Sequence, residues 1–501
     1  MPAPIVNAAL PPMSLIAALV LTAMPAPAQT VTRPRAGPAT GGVNAPASTI
    51  SAPSRIRGGP AGVAVDPRVA ALRDKALGDD TAYAIVRDLT TEVGPRLDGT
   101  EAEARARTWA VARLTALGFR NVRIEPYRLP VWTRGTESAE IVSPYPQKLR
   151  LVGLGNSGAT PRDGLTLPVV YFPSFNDLQL APEGSLKGKI AFVSNVMYPT
   201  QDGSSYGAAG PARFVGPGVA ARKGAAAIVI RSIGTDHGRG PHAGTTDFPA
   251  GVTPIPAAAL SVADAENLER MFAAGRPVTM HLVLDDHQVG MRASGNVVAE
   301  VPGTDPSAGI VLVGGHLDSW DLGTGAIDDG SGIAITAAAA KLAMDAGPHR
   351  RTIRVVWFGD EETGGFGGQA YARAHSGDRH ATAAESDFGA DRVWRFETNF
   401  ADPAKPIADR LQAALAPLGI VRGRDPAGEG TDVEPILHAN GVAAVDMSQD
   451  GTRYFDVHHT PEDTLDRIDP AQLRQNVAAW ATMLGIVADA PEDIGPVVRS
   501  R

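Results

Sequence analysis

Carboxylates and imidazoles gather at five short places in the second half of the chain. GGHLDSWD (314–321) presents His316 and Asp318, and GAIDDGSG (325–332) presents Asp328 and Asp329. GDEE (359–362) adds Asp360, Glu361 and Glu362, AESD (384–387) adds Glu385 and Asp387, and DVHHTPEDT (456–464) adds His458, His459 and Asp463. No Lys or Arg lies inside these motifs to neutralise them. That much unpaired charge calls for a cation.

The glycine-rich turn at 323–332 also raises a phosphate-binding reading, which fails on its own residues. Gly323-x-Gly325 would need a third glycine at position 328, where the chain has Asp. A carboxylate there repels a pyrophosphate, and no G-x-x-x-x-G-K-[ST] occurs either. A metal suits the set better. Zinc accepts imidazole nitrogen and carboxylate oxygen, and a catalytic site keeps one position open for water. Two ions about 3.5–4 Å apart, sharing a bridging carboxylate and a water, would use five such ligands. His316-x-Asp318 offers a carboxylate that fixes an imidazole's tautomer. The neighbours Glu361 and Glu362 can divide labour, one on metal and the other taking a proton from water. Taken singly, each motif has an ordinary structural reading: a polar turn, a solvated edge or a local ion pair. Their recurrence at successive strand ends is what carries the chemistry.

The elements that position them alternate. Strands are expected at 296–301, 310–315, 352–358 and 442–447, and helices at 331–346, 367–375, 405–418 and 470–488. Near-continuous apolar strands between helices predict an α/β fold with a mostly parallel sheet covered by helices on both faces. In such sheets the chemistry collects at the carboxyl ends of the strands. Upstream, PRVAALRDKAL, DDTAYAIVRDLTTEV and GTEAEARARTWAVARLTALGF read as helices, the last closed by Gly118. Between about 130 and 290 the pattern changes to short apolar runs at 165–172, 188–196, 225–233 and 278–285, with a loop-like stretch at 241–260. This reads as a β-rich domain inserted into the larger one.

Composition bounds the rest. Of 501 residues, 46 are basic and 54 acidic, a net charge of −8 that argues against nucleic acid or anionic lipid as a partner. There is no cysteine, hence no disulfide, thiolate zinc site or lipoprotein anchor. The apolar core Ser14–Ala23, too short to span a bilayer, precedes Ala26-Pro27-Ala28, which resembles a signal-peptidase site, although no Lys or Arg precedes Arg33. The expected organisation is a signal peptide (1–28), a disordered linker (29–65), a first catalytic segment (66–129), the insert (130–290), a second catalytic segment (291–490) and a tail (491–501), with export to a periplasm or the medium.

As a set, the motifs resemble the co-catalytic zinc exopeptidases of the aminopeptidase, glutamate carboxypeptidase and transferrin-receptor superfamily, and within it the carboxypeptidase Q branch. GGHLDSWDLGTGAIDDGSG, WFGDEETGGFGG, AESDFGA, GEGTD (428–432), HHTPEDT and GPRLDGT (94–100) carry the likeness, which runs from about residue 68 to 488. The resemblance implies a zinc exopeptidase fold with an inserted protease-associated domain. It implies two zinc ions per chain, one held by His316 and Asp387 and the other by Glu362 and His459, with Asp328 bridging. It makes Glu361 the general base and Asp318 the orienter of His316, and gives Asp329 a backbone role through an unusual peptide bond. His459 rather than His458 fits the motif H-[ST]-x-x-D-T, and Asp387 rather than Glu385 fits the third acidic motif. The substrate implied is a short peptide near a free terminus, and a homodimer is implied as well. Two rival functions come with the superfamily: a receptor-like member without metals, and an acyl-transferring glutaminyl cyclase.

Overall fold

The computed structural model describes residues 63–424 and 426–497, so the expected signal peptide and most of the linker lie outside the described residues. Two eight-stranded sheets organise a mixed α/β structure. The main sheet is built from β1 (Arg120–Thr133), β2 (His287–Val301), β3 (Ile310–His316), β4 (Thr352–Phe358), β5 (His380–Glu385), β6 (Val393–Thr398), β7 (Val421–Arg422) and β8 (Ala443–Gln449). Its order is β1-β2-β4-β3-β5-β8-β6-β7.

The centre β4-β3-β5-β8 is parallel, a pairing that requires crossover connections between strands. The flanks depart from the expected mostly parallel sheet: β1 and β2 pair antiparallel, as do β2 with β4 and β8 with β6. β1 and β2 form a long two-stranded arm running through the expected domain limits near 130 and 290. In β3 and β4 every residue after the first is buried, which is why these strands lack polar alternation. Their register pairs His316 with Phe358, and Gly314 with Glu385 on β5, so three chemically loaded loops leave the sheet side by side.

Helices cover the sheet: α1 (Pro67–Ala76), α2 (Thr81–Glu92), α3 (Glu101–Ala116), α4 (Ser331–Ala346), α5 (Phe366–Ala374), α6 (Lys405–Leu415), α7 (Glu434–Asn440) and α8 (Pro470–Val487). Thr100 caps α3 by accepting from the Glu103 N–H at 3.2 Å, and Trp109 on that helix stacks on Trp357 of β4. α4 is rich in alanine and lies close to the sheet. At its start Gly332 is pressed against the Ser386 carbonyl and the Asp329 carboxylate, where any Cβ would collide.

The second sheet is formed within residues 137–284, in the order 147–149, 137–143, 279–284, 165–172, 190–193, 227–231, 257–260, 151–153. It has its own core, including Ile190, Phe192, Val229, Met280 and Leu282. Among the described residues, no helix is long and apolar enough to cross a membrane.

Candidate metal centre

The loop between β3 and α4 is fixed from two sides before any ligand is considered. Arg96, buried, donates to the carbonyls of Leu317, Thr324 (2.8 Å) and Gly325 (2.9 Å). Asp463, also buried, accepts the N–H groups of Ala326 (3.0 Å), Ile327 (2.6 Å) and Asp328 (3.2 Å). Asp329 is consumed locally: one oxygen accepts from the His316 N–H at 3.1 Å, the other from the Gly332 N–H at 2.9 Å. The Asp328–Asp329 peptide is cis.

Held this way, Asp328 stands between two imidazoles. Its Oδ1 is 3.1 Å from His316 Nε2, and its Oδ2 is 3.2 Å from His459 Nε2. Asp387 Oδ1 lies 3.6 Å from His316 Nε2, and Glu362 Oε2 lies 2.9 Å from His459 Nε2. The five residues expected to bind metal therefore converge. His316 Nδ1 donates to the Asp318 carbonyl at 3.0 Å and sits 3.6 Å from its carboxylate. The Asp318 carboxylate has a further use, accepting the N–H groups of Glu361 and Glu362 at 3.3 Å each. One residue thus fixes both the imidazole and the glutamate pair.

Glu385 is turned away from this cluster, accepting from the N–H groups of Asp432 (2.9 Å) and Val433 (3.1 Å). His458 stacks on His459, ring centroids 3.5 Å apart, with its Nε2 3.8 Å from Asp328 Oδ2. Asp360 and His459 both have left-handed backbone, φ 61° in each case, the kind of local strain that surrounding contacts must hold.

The electrostatics fit a cation. Among the described residues, Asp328 Oδ2, Glu362 Oε1 and Asp387 Oδ1 are buried without a hydrogen bond, the first and last facing the imidazoles of His459 and His316 at 3.2 Å and 3.6 Å. Burying such oxygens unpaired is costly, and a positive ion in the space they share removes that cost. Burial and the nearby Asp387 charge push Glu361 well above the usual carboxylate range. Burial alone would lower His316, but the Asp387, Asp318 and Asp328 carboxylates outweigh it and push it well up. The burial of Asp328 is likewise outweighed, by His316 and His459, which hold it well below the usual range. Three overlapping groups of candidate ligands, His316–Asp328–Glu362, His316–Asp329–Asp387 and Asp328–His458–His459, have their ligand atoms within 4.8 Å of one another. Nitrogen and carboxylate donors without sulfur suit zinc.

Comparison with known proteins identifies the family. The sequence model of Peptidase family M28 matches residues 296–484. Bovine carboxypeptidase Q is 36% identical over 414 residues, covering 82% of this chain and 86% of that protein. The chain belongs to peptidase family M28. As a member it is a metallopeptidase. Among solved structures, a peptidase M28 precursor from Shewanella amazonensis is 44% identical, with a TM-score of 0.84 over 86% of this chain and 98% of that one. A zinc aminopeptidase from Bacillus subtilis shares the fold at 19% identity, with a TM-score of 0.58 over 84% of this chain and 98% of that one.

Proposed function

We propose that this M28 peptidase is an exported two-zinc exopeptidase hydrolysing dipeptides or short peptides next to a free terminus. The observation that carries the reading is Asp328, whose two oxygens face His316 and His459 while Asp387 and Glu362 flank those imidazoles. In this reading His316 and Asp387 would hold one ion and Glu362 and His459 the other, with Asp328 shared between them. Bound zinc supplies Lewis-acid polarisation of the scissile carbonyl and lowers the pKa of water toward about 7.

The chain's own groups do the rest. Glu361 takes the proton of the attacking water and delivers it to the departing amine. Asp318 holds the Glu361 and Glu362 backbone and His316 in one frame, so base and ligands keep their spacing. The segment 130–290 is read as a protease-associated domain, and the homodimer and export as further parts of the proposal. A receptor-like role without metals is disfavoured because all five ligand positions and the base position carry competent residues. Acyl transfer is separated from hydrolysis by product.

The test is a panel of dipeptides and aminoacyl substrates on zinc-loaded full-length protein, with and without chelator. Chelator-sensitive release of free amino acids is expected. Absence of hydrolysis by zinc-loaded protein, or hydrolysis indifferent to the chelator, overturns the reading.

A further inference from the structure

The stretch around PHAGTTDF (241–248), loop-like in sequence, reaches from the second sheet to the histidine motif near the C-terminus. It meets that motif in a two-way pairing. The Ala243 N–H donates to the His459 carbonyl at 2.9 Å, and His459 Nδ1 donates to the Ala243 carbonyl at 3.2 Å. A carbonyl can only accept, so this contact puts a ring hydrogen on Nδ1 and leaves Nε2, which faces Asp328 and Glu362, as the nitrogen that would offer its lone pair once a metal is bound. That is the tautomer a metal ligand needs.

His242, next to Ala243 in the chain, also bonds to the histidine motif. It is fully buried, with Nδ1 2.7 Å from the His458 carbonyl, Nε2 2.8 Å from Asp236 Oδ1, and its N–H donating to Ser232 Oγ at 2.9 Å. Three of its polar groups are thus engaged, one of them on the motif itself. The surrounding loop is shaped to the ring: a Cβ at Gly234 would run into the His242 imidazole, and one at Gly244 into the Arg213 guanidinium. Arg213 in turn donates to the Ala243 carbonyl at 3.3 Å. His459 sits at φ 61°, so its backbone depends on these outside contacts to stay where it is.

We infer that His242 is a positioning residue of the metal centre, supplied by the inserted segment: it anchors the loop whose Ala243 carbonyl sets the tautomer and aim of His459. The inference rests on the two-zinc reading and assigns the insert a part in building that site. Outer partners of ligating imidazoles typically change metal affinity about 10- to 100-fold when removed.

The experiment titrates full-length protein with zinc against a chromophoric chelator and measures kcat and KM on a dipeptide. In His242→Ala, one of the two zinc equivalents should weaken about 10- to 100-fold, with kcat falling more than KM changes. His242→Asn, whose amide N–H can reach the His458 carbonyl, should recover part of both losses. Gly234→Ala, which crowds the ring while deleting no polar group, should weaken the same equivalent. A folded His242→Ala that binds both zinc equivalents like wild type overturns the inference. Should His242→Ala not fold, Gly234→Ala and Asp236→Asn decide by the same titration. Wild-type protein that binds no zinc overturns the functional reading as well, whatever the variants do.

Discussion

At the scale of single residues, Glu361 and Glu362 are neighbours in sequence with different surroundings. Glu362 reaches His459 at 2.9 Å, whereas Glu361 donates its backbone N–H to Asp318 and, among the described residues, has no side-chain ion pair. Glu361→Gln removes the proton acceptor and leaves the five proposed ligands in place. Turnover should fall about 10²- to 10⁴-fold with both zinc equivalents retained, as read by kinetics and elemental analysis on one preparation. Near-normal turnover would remove Glu361 from the mechanism. The motifs that meet at Asp328 were legible in sequence because each closes a strand or its following loop, where a parallel sheet concentrates chemistry, while the choice of Asp387 over Glu385 and of His459 over His458 came from the family resemblance. Arg96, Ala243 and His242 were not legible. They act on backbone groups, and an arginine or histidine in a loop carries no spacing that announces such a contact. Asp463 was visible within HHTPEDT, but its target lies more than a hundred residues upstream.

At the scale of elements, the β3–α4 loop is a turn held by opposite charges, Arg96 on its carbonyls and Asp463 on its N–H groups. Asp463→Asn keeps the shape and replaces one accepting oxygen with a donor that faces donors. The loss should be about 1–3 kcal/mol of stability, read by urea unfolding of metal-free protein, with weaker zinc binding alongside because the Asp328 N–H loses its acceptor. An unchanged unfolding midpoint would show that the loop does not need this carboxylate. The elements themselves were legible in part: α4 spans 331–346 as its apolar pattern predicts and α8 ends within a residue of expectation, but the flanking strands β1, β6 and β7 were not expected. Strand direction at the flanks was not legible. Alternation of strands and helices implies parallel neighbours, whereas β1 and β2 are joined through residues 134–286, a connection whose length fixes no direction. Their partly exposed, irregular burial gives no further cue.

At the scale of the whole molecule, segments from Arg96 to Asp463 meet at one end of the main sheet, so the site depends on distant packing staying intact. A polar cluster at the opposite end of that sheet makes the packing sensitive to acid. His380, at the start of β5, is buried and accepts from the Tyr371 hydroxyl through Nε2 at 2.9 Å. Arg354 on β4 donates to that hydroxyl at 3.0 Å and also pairs with Glu300 on β2 and Asp378, each at 2.8 Å. Burial, followed by the Arg354 charge, lowers His380 to about 4. The folded state thus favours the neutral ring, while the unfolded chain takes up its proton near the ordinary histidine value of about 6.5. As pH falls from about 6.5 toward 4, the unfolded state binds the extra proton and stability declines, by about 3 kcal/mol in all if the shift is fully expressed. Above that window His380 contributes no slope. Urea unfolding of metal-free wild type and His380→Gln at pH 7 and pH 4.5 isolates the effect from other titrating groups. Wild type should lose more stability between the two pH values than the variant does. Equal losses would show that the buried ring takes up its proton as readily folded as unfolded.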